Sequence, residues 1–167
     1  MPSDALVIAA VAGGGGAGAA IDLLTRRVPN PLTFGIAALG CGLALAGATS
    51  LTPGQAIAGL AIGFALMLPG HVVGATGAGD VKLFAAIGTL LGPSRTGMAF
   101  LYTAIAGGAL AVAVALRRRR LAAAVERTAA LIRSGGGNVH DIENASDNRF
   151  AYAPAIAAGA LVAALGW

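Results

Sequence analysis

Charge is scarce in this 167-residue chain: 11% of its residues are Asp, Glu, Lys or Arg, where a soluble domain carries roughly 25%. Too few charged side chains remain to wet a globular surface, which disfavours a soluble enzyme and a disordered chain. Aromatic residues make up only 5%, and the single cysteine, Cys41, lies in an apolar run. One cysteine cannot close an internal disulfide, and no CxxC pair is present to hold zinc. With two histidines in the whole chain, no His-rich metal cluster, Cys/His pair or credible serine triad stands out.

What is abundant is apolar: 57% of the residues, with a mean hydropathy of +0.80. The 26 glycines sit inside runs of Ala, Leu, Ile and Val. They follow neither a collagen period nor a linker pattern. This composition predicts an all-α, polytopic bundle of membrane helices that approach one another through small residues.

A helix needs about 20 residues to cross about 30 Å of hydrocarbon, and shorter spans are tolerated where flanking residues adjust. Six spans are predicted, at 5–21, 32–48, 55–68, 72–91, 96–116 and 152–167. Turn signals separate them at Pro29-Asn30-Pro31, Thr52-Pro53-Gly54, Pro69-Gly70 and Gly92-Pro93. The first span lacks a basic leader and is followed by Arg26 and Arg27, so it reads as a retained span, not a signal peptide.

Basic residues set orientation. With the amino terminus outside, Arg26, Arg27, Lys82, Arg117 to Arg120, Arg127, Arg133 and Arg149 fall inside, and Arg95 alone falls outside. The basic pI of about 10.2 is then a topology signal and calls for no nucleic acid. The polar stretch 117–150 carries Leu121, Val125 and Ile132 at helical spacing among arginines. It predicts a cytoplasmic amphipathic segment followed by a polar loop, within one membrane-embedded domain spanning 1–167.

Two carboxylates carry the chemistry. Asp4 lies in the amino-terminal tail, and Glu126, Asp141, Glu143 and Asp147 occupy the polar stretch. Asp22 and Asp80 adjoin apolar spans at the same predicted face, where an ionisable group is costly unless paired, hydrated or useful. Each has a structural explanation. Asp22 can pair with Arg26 four residues on, and Asp80 can cap a helix beginning at Val81. Gly77 and Gly79 flank Ala78 just before Asp80, so this backbone can take positive φ and let another segment approach closely. Two aspartates brought together hold one shared proton. The ionised member takes a proton from water, while the protonated member polarises a peptide carbonyl and later protonates the leaving amine. That chemistry needs no metal and no cofactor.

Gly77-Ala78-Gly79-Asp80-Val81-Lys82-Leu83 resembles the GxGD-(V)-K-L signature of type IV prepilin leader peptidases, which are membrane aspartic proteases. Asp22, followed by Val28, Pro29 and Asn30, resembles that family's first aspartate with its downstream (I/V)PN. Tyr152-Ala153-Pro154-Ala155-Ile156-Ala157-Ala158-Gly159 is similar to the start of its last span. The resemblance implies that Asp22 and Asp80 are the catalytic pair and that Gly77, Gly79 and Lys82 support the site. It implies, as substrate, a prepilin or pseudopilin with a short basic leader, cleaved at the cytoplasmic face of a bacterial inner membrane. Short length and the lack of a four-cysteine zinc domain make the chain most similar to the small CpaA/TadV-type branch of Flp pilus systems. The amino-terminal domain that accompanies methylation in larger relatives is lacking, so the resemblance does not extend to methyl transfer. Ala151 stands where the family has proline, and the YD motif of presenilin-type proteases is absent because Ile21 precedes Asp22.

Other signals have simpler readings. Gly13, Gly15 and Gly18 form a literal GxGxxG, but no βαβ unit surrounds it, and close helix packing replaces dinucleotide binding. Lys82 either offsets charge near the two aspartates or snorkels to the interface. His71 reads as an incidental loop histidine. Asp141, Glu143 and Asp147 either steer a basic leader or belong to a solvated linker. A proton-coupled transporter and a non-catalytic subunit of a pilus or secretion machine are the rival readings. The former places its carboxylates near the midplane; the latter needs neither.

Overall fold

The computed structural model describes residues 2–117 and 151–166. All regular structure among them is helical: α1 (Pro2–Thr25), α2 (Asn30–Leu45), α3 (Pro53–Val72), α4 (Ala78–Arg117) and α5 (Ala153–Ala164). Local sequence explains where these helices start. Thr52 and Gln55 form a reciprocal capping box at α3, with Gln55 N–H donating to Thr52 Oγ1 at 3.3 Å and Thr52 N–H donating to Gln55 Oε1 at 2.9 Å. Prolines stand in the first turns of α2, α3 and α5, where the missing N–H costs nothing.

The predicted count of six spans changes form. Gly92 has φ 71° and ψ 177°, so α4 is two helices, 78–91 and 93–117, joined at a kink. Pro93 disfavours helical ψ at the residue before it, and only glycine tolerates the resulting pair of angles. Thr96 Oγ1 then donates to the Gly92 carbonyl at 2.6 Å and fastens the start of the second segment. We predict that Gly92→Ala costs about 1–3 kcal/mol, read as a lower melting temperature in detergent.

Three helices are long and apolar enough to cross a membrane, while α2 and α5 are shorter. Pro69-Gly70, expected to end a span, lies inside α3, which runs on to Val72. The next helix starts at Ala78 instead of residue 72. The predicted amphipathic segment, with Asp141, Glu143 and Asp147, lies outside the described residues.

Between Asp80 and Gly92 the first segment of α4 is buried at every residue except Lys82. Such a helix belongs at the centre, and α4 touches each of the other four helices. Narrow buried stripes run along their packed faces at helical spacing: Val7, Val11, Gly15, Gly18 and Asp22 on α1, which also packs on α5 where Gly15 comes close to Ala157, then Thr33, Ile36, Gly40 and Ala44 on α2. On α3 the stripe is Ala56, Gly59, Gly63 and Met67. Glycine sets the closeness. A Cβ on Gly59 would overlap the Gly88 carbonyl, and one on Gly18 would stand 2.9 Å from Leu83. Gly13 and Gly16 meet nothing, so part of the glycine run faces outward. Leu24, Phe34 and Ile105 also point outward, as side chains facing lipid do.

Asp4 and Arg95 pair at 3.8 Å, which puts the start of α1 and the α4 kink at one end of the bundle. Asp22, 18 residues along α1, lies about 27 Å away at the other.

Candidate active site

Asp22 continues the inward stripe of α1 by one more turn, so the period that buries Val7 and Val11 also buries its carboxylate. It is 6% exposed. The N–H of Ala153, the first residue of α5, donates to Asp22 Oδ2 at 3.3 Å. This bond spans 131 residues of chain and brings the positive end of α5 to a carboxylate.

Asp80 is 8% exposed. It is not the cap of a helix beginning at Val81. The helix starts at Ala78, and Asp80, its third residue, reaches back so that Gly77 N–H donates to Oδ2 at 3.0 Å. This is one half of a capping box. Asp22 lies within electrostatic reach of Asp80, and so does the phenol of Tyr152. Asp22 and Asp80 therefore lie at the same end of the bundle. Arg26 N–H donates to the Asp22 backbone carbonyl at 2.7 Å.

The glycines before Asp80 act by closeness, not by unusual backbone. Neither has positive φ; the left-handed glycine of this loop is Gly74, with φ 76°. A Cβ on Gly79 would stand 3.2 Å from Val28 Cβ, and one on Gly77 would stand 3.0 Å from Asp80 Oδ2. The first glycine thus clears space for the carboxylate, and the second admits the turn that follows α1.

Lys82 Nζ is engaged elsewhere than in a bond to Asp80. Residues two apart point to different sides of a helix, and Lys82 Nζ instead donates to Asn30 Oδ1 at 3.1 Å. His71 lies in the last turn of α3, not in the loop, with Nδ1 3.1 Å from the Thr76 carbonyl. Tyr152 packs its ring on Gly107 and donates to the Thr103 carbonyl at 3.5 Å. Val28, Asn30, Tyr152 and Ala153 carry no formal charge to single them out, and only their place in the Val-Pro-Asn and Tyr-x-Pro motifs marks them. Among the described residues, no cluster of His, Cys, Asp and Glu is built to hold a metal.

These features define a helical membrane protein with two buried carboxylates within electrostatic reach of each other at one end. The chain belongs to the type IV leader peptidase family, whose model matches residues 7–112. That match spans both aspartates and ends before α5. No curated protein matches the chain, and no solved structure does. Membership makes the protein a membrane peptidase of the leader-peptidase kind.

Proposed function

We propose that the protein is an aspartic endopeptidase that removes the short basic leader of a prepilin, using Asp22 and Asp80. The observation that carries this reading is the burial of both carboxylates within electrostatic reach of each other. Two such groups hold one proton between them. The ionised one accepts a proton from water as the water oxygen attacks the scissile carbonyl. The protonated one donates to that carbonyl oxygen, and collapse of the tetrahedral intermediate sends a proton to the departing amine. The roles belong to the pair, not to either residue alone.

The excess of basic residues on the same side as Asp22 and Asp80 favours a cytoplasmic, inner-membrane site. Family membership supports a prepilin or pseudopilin as substrate, and we read it as one of the type IV or Flp-like kind. A proton-coupled transporter gains no support, because both aspartates stand at helix ends. The test is incubation of the detergent-solubilised protein with a prepilin. A product shortened by its leader is expected. Intact substrate from a folded enzyme would reject the assignment.

A further inference from the structure

The bond between Lys82 and Asn30 joins two segments 52 residues apart, and neither partner is committed to its own helix. Asn30 is the first residue of α2, whose N-cap is Pro29 and which has no side-chain cap bond. The Asn30 amide is therefore not used to close α2. Lys82 is the exposed residue in an otherwise buried stretch of α4, turned away from Asp80 by its spacing.

The turn they pin is the one that leaves the Asp22 helix. It begins at Arg26, a non-glycine residue in the left-handed region with φ 54°. It then places Val28 against Gly79, where a Cβ would lie 3.2 Å away. Asn30 completes it at Lys82. The exit from the Asp22 helix is thus held against the Asp80 helix at two points, Val28 on Gly79 and Asn30 on Lys82.

We propose that Lys82 is a positioning residue: through Asn30 it latches the turn after α1 onto α4 and so fixes the separation of the two carboxylates. This rests on the peptidase reading above. Small displacements of reacting groups cost turnover more than binding, by as much as about 100-fold for 1 Å.

The test is a double-mutant cycle on prepilin cleavage by the purified, full-length protein. Lys82→Met and Asn30→Ala should each lower kcat about 10-fold, with KM held within about 2-fold. The double variant should be no slower than either single one, because both remove the same bond. Asn30→Asp keeps an acceptor for the ammonium and should retain wild-type turnover. Thermal unfolding of each variant separates loss of the fold from loss of alignment. Wild-type activity with Asn30→Ala, or single effects that multiply in the double variant, would overturn the latch while leaving the peptidase standing. Absence of cleavage by the wild-type protein would instead remove the reading beneath it.

Discussion

Asp22→Asn and Asp80→Asn should each slow prepilin cleavage by about a thousandfold or more, and the double variant should be no slower than the worse single one. The first magnitude follows from removing a general acid or base. The second follows from the pair acting as a unit, since residues that share one step are strongly non-additive. Asparagine keeps the shape and an acceptor oxygen, so the bonds from Ala153 N–H and Gly77 N–H can persist. It also removes one of two buried ionisable groups that crowd each other. The melting temperature in detergent should therefore stay level or rise while the rate collapses. Rates followed by product mass, with unfolding curves on the same samples, decide the matter. Near-normal cleavage by either variant would reject the dyad.

A second large effect is expected at the seam between α3 and α4. Gly59 and Gly63 lie one turn apart on α3, and Gly88 lies opposite them on α4. A Cβ on Gly59 would overlap the Gly88 carbonyl, one on Gly88 would overlap the Gly59 carbonyl, and one on Gly63 would stand 3.0 Å from the Ala85 Cα. Every one of these neighbours is backbone, which cannot rotate aside. Gly59→Val must push two helices apart along the one that carries Asp80. We predict a cost of about 3 kcal/mol, at the upper end for overpacking, and a melting temperature lower by about 10 °C. Gly13→Ala and Gly16→Ala are the controls, because nothing lies within 4 Å of the added carbon and alanine is the better helix former. Their melting temperatures should match the wild type or exceed it. A Gly59→Val protein that melts with them would show that the seam is looser than described.

Much of this arrangement was legible in the amino-acid order. The apolar runs predict the helices, and the place of Asp22 and Asp80 beside them, with the Val-Pro-Asn and GxGD motifs, singles out the candidate pair. Other features were misread for identifiable reasons. Pro69 signalled a turn because proline removes an N–H, yet in an apolar bundle neighbouring groups compensate and the helix continues. A helix beginning at Val81 would put Asp80 at the capping position that aspartate prefers, whereas the helix begins at Ala78 and the carboxylate serves the cap from two residues inside it. Gly92-Pro93 did mark a discontinuity, but as a kink between two helical segments that follow without a loop. The bond from Lys82 to Asn30 and the one from Ala153 to Asp22 join distant parts of the chain, and no local pattern encodes such pairings.

The donor to Asp22 comes from residue 153, whereas Asp80 and its partner Gly77 are only three positions apart. During synthesis, the Asp80 turn can therefore form as soon as its own helix emerges, but Asp22 waits for α5 to be inserted. A nascent polypeptide arrested before that point would hold both acids without the amide that completes the setting of one of them. Competence would then arrive only after α5 is made, well after both acids have left the ribosome.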